Sequence, residues 1–224
     1  MVEMKLAILV LLSLLTNMPI FANETKEQVF WRWFAANEDR LFQFEKDQES
    51  TFDHLNNAMA KVHEDLTFEF GPVRTDGTRE FVISAGGLKA VFPSVESLHR
   101  AAPELKRWKF IKYRQRRTPI NDIEYGGVEV KAKEVHYAVF KDEAPEKIGI
   151  MLFLDGYAKG EKEGVLGQIG YLFLDEALGE FDVETKVGTI VFFGRDSKYF
   201  ERRRPLSQLQ ADFDEWKKGQ KGNP

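Results

Sequence analysis

The residues with the clearest capacity for acid–base or metal chemistry lie together at the end of one predicted helix. Asp175, Glu176, Glu180 and Asp182 place four carboxylates within eight residues, and Gly179 lies between them. Because a glycine in the left-handed conformation ends a helix and reverses the chain, Asp175 and Glu180 can converge. Two converging carboxylates repel each other, so one can be held protonated as a general acid, or both can be neutralised by a divalent cation.

Asp175 and Glu180 are therefore the candidate catalytic residues. In the alternative interpretation, these acids are solvated side chains around an ordinary helix end. No histidine accompanies the cluster, and carboxylates alone are a weak signal for a metal, so no metal site is predicted.

A strongly basic segment forms a second candidate site. Residues 106–117 hold seven Lys and Arg and no acid, and a strand is predicted from Trp108 to Arg114. Either the bases pair with acids of the same chain, or Lys112 and Arg114 contribute to a surface that binds a small anionic ligand. The net charge of −4 argues against nucleic acid as a partner.

The N-terminal part of the mature chain predicts a helical layer. Over residues 24–64, apolar side chains recur at helical spacing, and we expect one long helix broken or kinked near Ser50 and Thr51.

Three residues of this layer are candidate binding residues. Trp31 lies beside the main apolar stripe, so it belongs either to an exposed recognition patch or to a second buried side of the helix. Asn37 falls on the stripe itself, where a buried amide needs a hydrogen-bond partner. Asn37 and Arg40 therefore either lock the helix to a loop or line a cleft.

The remaining pattern predicts an α+β fold. The predicted strands follow one another in runs and do not alternate strictly with helices, which favours a mostly antiparallel sheet. The expected architecture adds an N-terminal helical layer, an inserted helix and a C-terminal docking helix from Pro205. No internal repeat is evident. The predicted core comprises Phe30, Phe34, Leu41, Phe81, Ile83, Ile150, Leu152, Leu172 and Val191.

The first 22 residues have the pattern of a secretory signal peptide. A short basic start, an apolar run and a small residue at Ala22 predict cleavage after Ala22, with an uncleaved anchor as the alternative. Residues 23–218 then form a single domain and residues 219–224 a disordered tail. The chain has no cysteine, so a disulfide and a lipid-modified cysteine are excluded, and a periplasmic or secreted protein without a stable membrane anchor is expected.

Recognised catalytic and cofactor motifs are absent from the sequence. There is no HExxH, GxSxG, P-loop or GxGxxG pattern, and no cofactor is predicted. The turn Ser84–Gly87 only faintly resembles a phosphate-binding loop. The favoured function is a non-catalytic module of the bacterial envelope that binds an unidentified protein or small ligand. The alternative is a hydrolase or metal-assisted enzyme that uses Asp175 and Glu180.

Several motifs together resemble a bacterial family of domains of unknown function. They are WRWFAANEDRLF, LTFEFGP, REFVISAGG, AAPEL before Trp108, and LDEALGEFDVETKVG. The family pattern has Tyr where this chain has Phe181, and often Asn where it has Glu176, so the resemblance implies no role that needs a phenol or an amide there. It implies no activity, and it suggests an exported version of a usually cytoplasmic domain.

Overall fold

The computed structural model describes residues 24–157 and 163–221. The predicted signal peptide and its cleavage site lie outside these residues. Seven α-helices lie within them: α1 Lys26–Ala36, α2 Glu38–Phe42, α3 Gln48–Ala60, α4 Phe92–Arg100, α5 Glu163–Leu178, α6 Glu180–Lys186 and α7 Leu209–Lys221. The strands are β1 Thr67–Phe70, β2 Arg79–Ser84, β3 Trp108–Lys112, β4 Ile123–Tyr125, β5 Val128–Val130, β6 His136–Lys141, β7 Ile148–Phe153, β8 Val187–Phe193 and β9 Arg204–Pro205.

The same ββαβ connection occurs twice. In the first unit, β1 and β2 form an antiparallel hairpin, and α4 then crosses over so that β3 pairs parallel with β2. In the second unit, β6 and β7 are antiparallel, and α5 with α6 leads to β8, which pairs parallel with β7. Parallel neighbours need such a crossover. The chain therefore contains a structural repeat, whereas the sequence predicted none.

The predicted α+β class is confirmed, with pairing that is mostly antiparallel. The strand orders are β1-β2-β3, β4-β5 and β8-β7-β6-β9, and only β2-β3 and β7-β8 are parallel. None of the helices in the described residues is long and apolar enough to cross a bilayer.

Each unit has its own hydrophobic cluster. α1, α3 and α4 cover the first sheet, where the aromatic rings of Phe34, Phe81 and Trp108 pack together. The second sheet packs on α5 and α7 around Ile150 and Phe173. Burying large rings and aliphatic side chains in this way supplies most of the driving force for folding.

Seven of the nine predicted core residues are fully buried, and they divide between these two clusters. Leu172 and Val191 are only half-buried, so their placement in the core is wrong. Leu172 lies on the side of α5 that lines a cleft, and Val191 belongs to β8, an edge strand with a neighbour on one side only.

The N-terminal layer is broken earlier than predicted. α1 ends at Ala36 and α3 begins after Asp47, so the interruption precedes Ser50 and Thr51, which are already helical. At the other end of the chain, α7 begins at Leu209 and continues to Lys221. The helix therefore includes residues 219–221, which the sequence assigned to the tail.

Candidate functional site

A cleft of about 640 Å³ lies between the two units. One wall comes from the start of β1 and the turn after β2, and the other comes from α5, α6 and β8. Its polar and aromatic lining residues are Thr67, Arg114, Tyr125, Lys147, Gln168, Tyr171, Asp175 and Glu184. Concave sites with a few convergent polar groups are the usual location of small-molecule binding.

Glu180 ties the two units together beside this cleft. It is the first residue of α6 and its side chain is completely buried. One carboxylate oxygen accepts hydrogen bonds from the backbone N–H of Ala85 (2.8 Å) and Gly87 (3.4 Å), and the other accepts from the N–H of Arg114 (3.0 Å). Three backbone donors balance the buried negative charge, so Glu180 is a structural anion that faces the first unit and not the cleft.

The turn after β2 supplies two of these donors because of its glycines. Gly86 and Gly87 have φ values of +61° and +81°, a conformation that L side chains rarely adopt. The turn therefore binds an anion, which is the carboxylate of Glu180 from the second unit.

Asp175 is the candidate residue that does face the cleft. Its carboxyl group lies 3.2 Å from a guanidinium nitrogen of Arg114, which also pairs with Glu69. Burial raises the pKa of Asp175 to about 7, because desolvation and the nearby Glu180 and Glu184 outweigh the attraction of Arg114. Asp175 therefore changes its protonation near neutral pH.

The charge of Glu180 acts on Asp175 and raises its pKa, but the two carboxylates do not line one shared site. Both reach Arg114, one through its side chain and the other through its backbone N–H. Only Asp175 lines the cleft. In the part of the chain that the structure describes, no group of three or more His, Cys, Asp or Glu is placed to hold a metal ion.

Glu184 is a second carboxyl group of the cleft, and the sequence did not single it out. It lies one turn after Glu180 on α6. Burial and the charge of Glu180 raise its pKa, while Lys147 and Lys89 lower it. Its spacing from Glu180 was the available signal, but only the fold shows that this side of α6 faces a cleft.

The backbone before Arg114 is held in an unusual conformation. Tyr113 has φ +62°, and its ring packs against both Phe92 and Phe181. Its hydroxyl donates to Glu96, and burial together with this acid raises the pKa of the phenol. Strained residues persist only where their surroundings fix them. Here the local reversal presents the N–H of Arg114 to Glu180 and its side chain to Asp175.

Trp31 is buried, so the interpretation that places it in an exposed recognition patch is wrong. The residue is 3% exposed, and its indole N–H donates to the carbonyl of Leu98 at 2.7 Å. It contacts Phe34 and Phe110 within the first cluster. The helix is buried on two sides, which is the second of the two interpretations.

Asn37 and Arg40 belong to the helical layer and lie outside the cleft. The Asn37 amide donates to the carbonyl of Trp33 at the end of α1, so it locks the helix end. Arg40 donates to the hydroxyls of Ser50 (2.7 Å) and Thr51 (3.2 Å) and clamps α2 to α3. Both side chains therefore stabilise the helical layer.

Six of the seven bases of the basic segment pair with acids of the chain. Lys112 donates to both carboxylate oxygens of Glu96, at 2.9 and 2.8 Å. The other paired bases of the segment are Arg107 with Glu38 and Asp39, Lys109 with Asp76, Arg114 with Glu69 and Asp175, Arg116 with Asp182 and Asp214, and Arg117 with Glu80. These pairs favour the first interpretation, in which acids of the same chain satisfy the bases. Arg114 alone among the candidate basic residues lines the cleft.

No family model, curated protein or solved structure matches the chain. The resemblance to a bacterial family of unknown function therefore stays a prediction. The two residues at which this chain differs from that family's pattern, Phe181 and Glu176, lie at separate places in the fold. Phe181 is half-exposed and stacks on Phe92, and Glu176 accepts hydrogen bonds from the backbone and side chain of Asn121.

Proposed function

We propose that this protein is a binding module whose ligand site is the cleft between its two ββαβ units. The observation that carries the proposal is the placement of buried Asp175 and its partner Arg114 in the wall of a cleft of about 640 Å³. Tyr125 and Tyr171 also line this cleft, and each is more than 40% exposed, at 47% and 43%. Half-exposed rings beside a convergent polar wall are typical of ligand sites.

The cleft is lined by two bases, Arg114 and Lys147, and two acids, Asp175 and Glu184, and we propose that the acids bind a ligand with a cationic group, such as an amine. Arg114 is already paired with Glu69 and Asp175. Asp175 and Glu184 both have raised pKa values, so a nearby cation would stabilise their ionised forms. The tyrosine rings would add a cation–π attraction of about 0.5–2 kcal/mol. This differs from the small anionic ligand that the basic segment suggested.

The experiment is a titration of the protein with small amines, ethanolamine and putrescine, and with the neutral and anionic probes ethylene glycol and succinate. Calorimetry at pH 7 in two buffers of different ionisation enthalpy measures the protons released. We expect amines to bind, with release of part of a proton from Asp175, and Asp175→Asn to abolish that release. Asp53→Asn, an exposed carboxylate of α3, is the matched control.

Two results would contradict the proposed ligand class. In the first, the amines bind equally to wild type and to Asp175→Asn. In the second, only the anionic probe binds. Amide chemical shifts in a labelled sample locate the site. Shifts confined to residues outside the cleft would refute the cleft as the binding site.

A second candidate function is acid–base catalysis, and one observation favours it. Asp175 has a pKa of about 7 and faces an open cleft, which suits a group that donates or accepts a proton at neutral pH. Glu180 would be a positioning residue in such an enzyme, because its carboxylate is saturated by backbone donors. A bell-shaped pH profile lost in Asp175→Asn, with any hydrolase substrate, would support this alternative over simple binding.

We also propose that the protein acts outside the cytoplasm, in the periplasm or as a secreted protein. The support is the signal-like pattern of residues 1–22, and the absence of cysteine excludes a lipid-modified cysteine as an anchor. Mass spectrometry of the protein purified from its host tests this. A mature chain that begins at Asn23 is expected, and an intact N-terminus in a membrane fraction would refute it.

A further inference from the structure

An apolar groove on the far side of the first unit has no role in the proposed function. It has a volume of about 670 Å³ and runs along α1 beside the end of α3. Val29, Phe30, Trp33, Ala36 and Ala58 form its walls. We call it the α1 groove. Val29 is 38% exposed there, although the neighbouring Phe30 belongs to the hydrophobic cluster.

The α1 groove is cationic at one end. Lys26 lies in the first turn of α1 and donates to the carbonyl of Val62, just after α3, so the start of α1 lies against the end of α3. Lys61 follows directly after α3, is exposed and also lines the groove. The start of α1 and the end of α3 meet at this point, so their helix dipoles offset each other and the two lysines supply the positive charge.

The remaining charges of the groove offset each other. Arg32 pairs with Glu24, and both side chains line the groove. The groove therefore has two chemically distinct parts: an end with the ammonium groups of Lys26 and Lys61, and a channel that continues past Val29 towards Trp33.

We infer that the α1 groove binds an amphiphile with an anionic head group and a single alkyl chain, of the long-chain carboxylate class. The carboxylate would lie against Lys26 and Lys61, and the chain would cover Val29 and Trp33. Charge complementarity selects the head group, because ammonium groups attract a carboxylate and not a neutral hydroxyl. Burial of the alkyl chain supplies the affinity, at about 0.8 kcal/mol for each buried CH₂ group.

The test is a titration of the chain that begins at Asn23, the proposed mature form, with laurate and with dodecanol below their aggregation concentrations. Calorimetry and tryptophan emission report binding, and Trp33→Phe identifies the contribution of the ring in the groove. We expect laurate to bind at least about tenfold more tightly than dodecanol. Lys61→Glu should weaken the binding of laurate by about tenfold and leave the affinity for dodecanol unchanged.

A matched pair of surface substitutions locates the site. Val29→Glu places a negative charge in the α1 groove and should abolish laurate binding. Val73→Glu makes the same change at a valine that is 50% exposed elsewhere on the first unit, and it should have no effect. Both positions are exposed, so neither variant disrupts a core.

Three outcomes would overturn the inference. No laurate binding, or laurate and dodecanol binding equally, excludes an anionic amphiphile. A monomer–dimer equilibrium that Val29→Glu abolishes assigns the groove to a second copy of the chain.

Discussion

The carboxylate of Glu180 should contribute more to stability than any other surface or interior acid of the second unit, and Glu180→Gln tests this. The side chain is completely buried and accepts three hydrogen bonds, from Ala85, Gly87 and Arg114. Glutamine keeps the shape but carries only one acceptor oxygen. If that oxygen serves Ala85 and Gly87, the amide NH₂ faces the N–H of Arg114, and two donors then oppose each other.

The expected cost follows from these contacts. Hydrogen bonds to charged groups contribute about 1.5–3 kcal/mol each, and an unsatisfied buried donor costs about 1–3 kcal/mol. In Glu180→Gln the hydrogen bond from Arg114 is lost, and the hydrogen bonds from Ala85 and Gly87 go to a neutral oxygen instead of a charged one. Against this, the loss of a buried charge removes repulsion with Asp175 and Glu184, since Glu180 raises the pKa of both. The net expectation is a loss of about 3 kcal/mol, which lowers the melting temperature by about 6–12 °C in a chain of this size.

Chemical denaturation at pH 7.5 measures the free energy of unfolding, with Glu146→Gln as the control at an exposed position. A second readout is the pKa of Asp175, followed by NMR of its carboxyl carbon, which should fall in Glu180→Gln. A change in stability no larger than that of the control would refute the anion-binding turn as the link between the units. In Glu180→Ala, formate should restore part of the lost stability, because its carboxylate fits the three vacant donors.

The other predictions concern the cleft and the two cores. The pKa of Asp175 is about 7 in the folded protein, and its ordinary value is 3.8. The wild type should therefore lose stability relative to Asp175→Asn as the pH rises between about 4 and 7, at about 1.4 kcal/mol per pH unit. A difference in denaturation midpoints that does not depend on pH would contradict this prediction. Gly188→Ala should destabilise the protein by about 2–3 kcal/mol, because the new Cβ would lie 2.4 Å from the carboxylate of Asp142. The N–H of Thr189 holds this carboxylate in place. An unchanged melting temperature would show that the carboxylate moves freely. Trp31→Phe should cost about 2 kcal/mol by leaving the Leu98 carbonyl without its donor, yet leave ligand affinity unchanged; loss of binding without loss of stability would return Trp31 to the candidate site.

Local pattern was sufficient for the elements whose ends are marked by turn residues. The hairpin of β1 and β2 follows from alternation on either side of Asp76 and Gly77, and Asp76 indeed caps the turn through Thr78. The end of α5 at Gly179, with φ +82°, is equally local. These features depend on residues within a few positions of each other, so the sequence alone predicts them.

The function of the polar residues depends on partners that are distant in the chain. Glu180 is bonded to a turn 95 residues before it, and Arg116 bridges α6 and α7 through Asp182 and Asp214. A basic strand and an acidic helix end were both visible in the sequence. Nothing in their spacing indicated that the bases of the strand pair with the acids of the helix end, because the tertiary fold determines which side chains meet across the units.

The repeat was invisible for a related reason. It lies in the order of strand pairing, and the two crossovers differ in length and composition: α4 has nine residues, whereas α5 and α6 have 16 and seven. Hydrophobic periodicity reports the type of each element, but it carries no information about which strands become neighbours.

The duplicated connection also explains why a cleft forms at this position. The longer crossover of the second unit is broken at Gly179, and the short helix α6 then delivers Glu180 into the turn of the first unit. This contact joins the two units, and Asp175 and Glu184 lie on either side of Glu180 in the sequence. A residue that does not line the cleft therefore helps to position two residues that do. Glu180→Gln should consequently weaken amine binding in a folded population, whereas Glu146→Gln should leave it unchanged.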